Sequence, residues 1–178
     1  MRVFKKLLNF YINSSIHVAL SVFSLTWISL IEFNISYDRN MLCFVFFATI
    51  TGYNFVKYFG IAKFHHRSLT NWLKAIQVFS FFCFILMCHY LFQLKFETLL
   101  YILGFGVVTF LYAIPFLPRN IFIDSNQNLR QISGLKVYVI AFVWAAVTVL
   151  LPIIDNQIAL TSDVFITAFQ RFILVLVL

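Results

Sequence analysis

Charge is what this sequence has least of. Lys, Arg, Asp and Glu make up 11% of its 178 residues, against about a quarter in an ordinary soluble domain. A chain so poor in charge cannot cover a core with polar surface, which excludes a soluble fold of any size. Its three cysteines form no CxxC pair, which removes the spacing of a zinc knuckle or a redox dithiol. Cys83 and Cys88 stand inside an apolar run and read as packed thiols. Pro/Gly-rich spacers, low-complexity tracts and internal repeats are missing, so nothing divides the chain into soluble domains.

What is present is apolar. Hydrophobic residues make up 62% and aromatics 20%, with 24 Phe. Runs of roughly 20 mostly apolar residues, enough to cross a ~30 Å hydrocarbon layer, recur along the chain. They are read as spans at Ile16–Ile35, Met41–Ala62, Ala75–Leu94, Thr98–Pro118 and Leu135–Ile154, with a sixth at 164–178. The expected fold is an all-α integral membrane bundle of about six transmembrane helices. It occupies 16–178 as one domain, after an amphipathic interfacial helix over 1–15.

In that first segment Val3, Phe4, Leu7, Leu8, Tyr11 and Ile12 recur at helical spacing, opposite Arg2, Lys5, Lys6, Asn9 and Asn13. This pattern suits a helix in the headgroup layer with its cations on anionic lipid. The competing signal peptide lacks a small-x-small cleavage site. From Val164 to Leu178 there are 15 residues, or ~22 Å of helix, and no Lys or Arg anchors the finish. Either the last helix stops inside the bilayer or the sequence is a piece of a longer protein, and the second is the expectation.

A net charge of +7 and a pI near 9.5 would suggest nucleic acid only if the cations shared a soluble face. Instead they fall in short loops between apolar runs, so nucleic acid is not an expected partner. Arg2, Lys5 and Lys6 precede the first span. Lys63, Arg67 and Lys74 follow the second, and Arg119, Arg130 and Lys136 follow the fourth. The other side holds Arg39 and Lys95 with Asp38, Glu97, Asp155 and Asp163. The positive-inside rule puts the N-terminus and both basic loops in the cytoplasm. The small-residue pairs Ala48/Gly52 and Ala141/Ala145 suit close helix packing and nothing more specific.

Ionisable groups at membrane depth are costly and mark candidate sites. Arg171 falls near the middle of the sixth span, either as an anion-binding arginine or as one paired with Glu32 or with helix carbonyls. Glu32 is near enough to the end of the first span to reach the interface. Lys57 lies one turn from the inner end of the second span and shares a helix face with Asn54 and Tyr53. These residues, with His65, His66 and Arg67 beyond them, read either as an interfacial cationic cap or as a phosphate site. His65 and His66 point ~100° apart on a helix and have no third ligand at metal spacing, so no metal site is expected.

The stretch Thr51-Gly-Tyr-Asn54-Phe-Val-Lys57-Tyr58 resembles the first signature of the UbiA-type membrane prenyltransferases. His66-Arg67-Ser68 is similar to the basic-Arg-Thr element that follows it. Leu111-Tyr112 leading to Arg119 resembles the family's Tyr-to-basic segment after the fourth helix, and Leu135–Pro152 with Trp144 is compatible with the fifth helix. In that family an Asn precedes aspartates at offsets of roughly one, four and eight, and these hold Mg²⁺ through hard oxygens. The metal neutralises an isoprenyl diphosphate as it leaves. Here Asn54 matches, but Phe55, Tyr58 and Ala62 occupy the aspartate offsets. No Asp or Glu lies between Tyr53 and Trp72, and a second cluster would fall beyond Leu178.

The resemblance therefore implies a prenyltransferase-like membrane protein that binds an isoprenoid, isoprenyl-phosphate or quinone-like lipid. Its Mg-dependent transfer is degenerate or lost, and no cofactor is expected. The candidate ligand-binding residues are Asn54, Lys57, Arg67, Tyr112, Arg119 and Arg171. The expected location is a bacterial inner membrane. Two alternatives stand beside this reading: an active prenyltransferase in a longer form, and a non-enzymatic membrane subunit or transporter component.

Overall fold

The computed structural model describes residues 2–64, 71–113 and 135–177. These are helical throughout apart from short connections, and they contain no strand. The helices are α1 (Arg2–Asn13), α2 (Ile16–Glu32), α3 (Arg39–Phe64), α4 (Asn71–Leu91), α5 (Phe96–Ala113), α6 (Leu135–Ala145), α7 (Leu151–Asp155) and α8 (Ser162–Val177). A π-helical turn, Ala146–Leu150, joins α6 to α7. The chain divides into two compact units, Met1–Leu94 and Lys95–Leu178.

Three helical stretches are long and apolar enough to cross a membrane: Arg39–Tyr58, Leu73–Leu91 and Val137–Asp155. A fourth is the bent pair Phe4–Asn13 and Ile16–Glu32, which turns by 60° at its break. The described residues thus carry the expected six spans as far as three or four. Large apolar side chains lie open along these helices. Only 11% of the Leu73–Leu91 stretch is buried, and Phe81, Phe82 and Ile85 are exposed. A face of this kind is unfavourable in water and suits hydrocarbon.

The helix ends differ from the expected span limits for local reasons. The first span was expected to run to Ile35, but α2 stops at Glu32. Asn34 takes a left-handed backbone at φ 53°, and Ile35 N–H donates back to Leu30 O at 2.8 Å. That is a Schellman stop, with Asn in the position where a left-handed residue is needed. α3 begins two residues earlier than expected because Asp38 caps it, its carboxylate accepting Met41 N–H at 3.0 Å. Gln157 repeats the left-handed stop after α7, with Ile158 N–H bonded to Ile153 O at 3.0 Å.

In the first unit α3 packs on both α2 and α4. Ala19, Ile50 and Cys83, one from each helix, form a fully enclosed layer with Ile16, Phe46, Phe47 and Phe79 around it. The small Ala19 is what allows α2 to approach this closely. In the second unit α6 packs on α8, whose buried residues Val164, Thr167, Arg171 and Val175 recur at helical spacing on one stripe.

The π turn falls directly ahead of Pro152. A proline has no N–H, and its ring presses on the carbonyl four residues back. Here the helix widens instead, with Leu151 N–H reaching Ala146 O. The hydroxyl of Thr148 donates to Trp144 O at 2.8 Å, supplying a partner within the irregular turn.

Candidate functional site

The expected site at the inner end of the second span is the last described stretch of α3. Asn54 is buried at 3% exposure, and three partners take up its amide. Its Nδ2 donates to Ser14 O at 3.1 Å and to Ser80 Oγ at 2.7 Å, while its Oδ1 accepts from Ser15 Oγ at 2.9 Å. Ser80 in turn donates to Ile76 O at 2.8 Å. A single amide thus ties α3 to α4 and to the joint between α1 and α2. The amide has two donors, and both are in use.

One turn further on, Lys57 and Tyr58 converge on a single acceptor. Lys57 Nζ donates to Asn13 O at 3.2 Å and Tyr58 Oη donates to the same oxygen at 2.9 Å. The lysine ammonium also lies 5.3 Å from the centre of the Tyr58 ring. Asn13 is the last residue of α1, so its carbonyl is among those a helix leaves without an internal partner. A cation suits this place because the helix dipole is negative there.

The joint itself is strained. Ser15 has φ 61° and ψ 19°, a left-handed conformation that costs a non-glycine residue about 1–2 kcal/mol. Neither Gly nor Pro marks the break. It persists because Ser14 and Ser15, both buried, are held from outside by Asn54.

On the same face of α3, nearer its start, a cleft of about 200 Å³ opens between α2 and α3, lined by Leu20, Phe23, Cys43, Phe46 and Phe47. Its lining is wholly apolar. Positions 43, 46/47, 50, 54 and 57 repeat at intervals of three and four, so cleft, buried layer, amide and lysine follow one stripe of the helix.

The other candidate residues divide between the second unit, the end of α2 and stretches outside the described residues. Arg171 is buried on the α8 stripe, 7% exposed, in the second unit. Tyr112 stands in the last turn of α5, also in that unit. Arg67 and Arg119 lie outside the described residues. Glu32 is exposed at the end of α2. In the sequence Tyr58 stands only as a missing carboxylate, and no motif marks Ser14, Ser15 or Ser80. The available signal was a pair of adjacent serines at the edge of an apolar run, with a third serine inside another.

The resemblance to the prenyltransferases implies Mg²⁺ at this helix end, and the residues do not fit it. Phe55 and Ala62 offer no oxygen, and the Tyr58 hydroxyl is turned onto Asn13 O. Among the described residues, no three of His, Cys, Asp and Glu stand where they could hold a metal ion. Comparison with protein-family models, with characterised proteins and with solved structures returns no match.

Proposed function

We propose that the chain is a multi-pass membrane protein that binds an isoprenoid lipid by its phosphate, resembling the UbiA-type prenyltransferases but with no metal-dependent transfer routed through α3. In this reading α2, α5 and α8 also cross the bilayer, giving about six spans. The N-terminus and α1 lie on the cytoplasmic side of a bacterial inner membrane. The observation that carries the reading is the position of Lys57. Its ammonium has three donors, and among the described residues one is used, on Asn13 O.

The remaining donors point to a direct, charge-assisted bond to phosphate in place of a metal bridge. In this reading the lipid tail lies in the surrounding hydrocarbon, because the enclosed layer of Ala19, Ile50 and Cys83 separates the apolar cleft from the anionic head at Lys57. Arg67, in the basic loop that follows α3 in the sequence, would add charge to the head.

The test is equilibrium binding of an isoprenyl monophosphate, an isoprenyl diphosphate, the matching free isoprenol and a quinone to the protein in nanodiscs. Losing a hydrogen bond to a charged group costs about 1.5–3 kcal/mol, so Lys57→Gln should weaken both phosphates about 10- to 100-fold and leave the alcohol and the quinone unchanged. Equal phosphate affinity in the two proteins removes Lys57 from the site. A quinone bound more tightly than any phosphate overturns the ligand class.

A further inference from the structure

α1 presents two surfaces. Phe4, Leu7, Leu8, Tyr11 and Ile12 form an exposed apolar stripe, with Phe4 71% and Leu7 64% open. Lys5 and Lys6 are exposed on the rest of the helix, and the chain has no Asp or Glu before Glu32. An apolar stripe beside an uncompensated cationic face is complementary to an anionic lipid leaflet. Apolar burial draws the stripe below the headgroups, and each cation near the surface adds about 1 kcal/mol.

The attachment of this helix is unusual for a surface anchor. A flexible tether would need no contact with the bundle at all. Instead the end of α1 is fixed at four points: Lys57 and Tyr58 on Asn13 O, Asn54 on Ser14 O, and Phe10 edge-on to Phe79 of α4 at 5.4 Å. Ser15 completes the joint in a conformation that its surroundings must enforce.

We infer that Asn54 and Tyr58, with Lys57, form a bracket that holds α1 preorganised as a docking surface for anionic lipid. Asn54 stands where the prenyltransferase resemblance would put a ligand-binding residue, and it acts here as a positioning residue for a helix. Preorganisation matters because a free helix of this length is marginal in water, and ordering it at the membrane would consume much of the binding energy. The inference rests on the reading of α1 as a surface helix and is independent of the isoprenoid ligand.

The experiment places a nitroxide on a cysteine at Leu8 in the full chain, with Cys43, Cys83 and Cys88 replaced by alanine. Mobility and depth are read in neutral and in anionic vesicles. A second label at Val78, exposed on α4, reports on the fold. With the bracket intact the Leu8 label is immobile and lies below the headgroups, deeper in anionic vesicles. Asn54→Leu with Tyr58→Phe, which keeps Lys57, should raise the ratio of mobile to immobile label about tenfold (~1.4 kcal/mol) while the Val78 spectrum stays unchanged. Lys5→Glu with Lys6→Glu should abolish the dependence on lipid charge.

An unchanged Leu8 spectrum in the Asn54/Tyr58 variant overturns the bracket, and depth independent of lipid charge overturns the anionic partner. If the double variant disturbs Val78, Tyr58→Phe alone is compared with the parent, and an identical Leu8 mobility again overturns the bracket. Isoprenyl-phosphate affinity, measured on the same proteins, separates failure of the ligand reading from failure of this one.

Discussion

Tyr58 Oη donates to Asn13 O at 2.9 Å across 45 residues of chain, and Lys57 Nζ reaches the same oxygen at 3.2 Å. Two side chains from one turn of α3 therefore share one carbonyl at the end of α1. Because either can serve the oxygen alone, their losses should not add. Tyr58→Phe or Lys57→Met singly should cost about 0.5 kcal/mol, and together about 2–3, well above the sum, since the carbonyl then has neither. Denaturant titration of the purified protein in detergent, run as a double-mutant cycle, measures the difference. Strict additivity would show that the two do not act on one acceptor.

Ser15 gives an ordering of variants. Ser15→Gly relieves the left-handed backbone but loses the bond to Asn54 Oδ1, so its net effect should fall within about 1 kcal/mol of zero. Ser15→Ala keeps the strain and loses the bond, and should cost about 1–3 kcal/mol. Ser15→Val should be worst of the three, since a β-branched residue is a genuine outlier at positive φ. The check is the rank order of thermal midpoints. A valine variant as stable as the glycine one would mean that the joint is not left-handed.

In the second unit Asp155 is buried at 8% exposure and caps α5 from outside its sequence. Its Oδ1 accepts Lys95 N–H at 3.0 Å and the Thr98 hydroxyl at 2.8 Å. Asp155→Ala should cost about 2–3 kcal/mol, and Thr98→Val about 1, with a coupling energy of about 1 kcal/mol between them. Hydrogen exchange at the first turn of α5 is the local readout, and protection there should fall in the Asp155 variant. A coupling of zero would detach the carboxylate from that helix end.

The proposed orientation places α1 and the stop after α7 on opposite faces of the membrane. In a cysteine-free background, Lys5→Cys should react with an impermeant maleimide only from the cytoplasmic side, and Gln157→Cys only from the other. Labelling of both from one side would contradict the charge-based topology.

Much of the helical layout could be read from the residues. The helix starts at Ile16 and Leu135 coincide with those expected and most other limits differ by a few residues, while the expected end at Pro118 lies outside the described residues. The end of α2, the start of α3 and the end of α7 trace to Asn34, Asp38 and Gln157, whose short or polar side chains allow caps and left-handed stops that an apolar window does not see. The π turn was hidden for a different reason. Pro152 warned of a break, but whether a helix kinks, ends or widens depends on what packs around it, and Thr148 supplies the local partner. Asn54 and Lys57 were legible as polar residues at membrane depth, and their partners were not.

The sequence alone determined that this chain is helical and apolar. Without water to satisfy them, backbone N–H and C=O groups must pair within each apolar run, and the helix is the local way to do so. Only the tertiary structure decided what the stretch of α3 around Asn54 and Tyr58 holds. The partners of Asn54 and Tyr58 at the α1–α2 joint stand 39 to 45 residues earlier in the chain and Ser80 stands 26 later, and no spacing rule reaches that far. Packing Ala19 against Ile50 and Cys83 brings the α1–α2 joint to Asn54, and the hydrogen bonds follow from that approach.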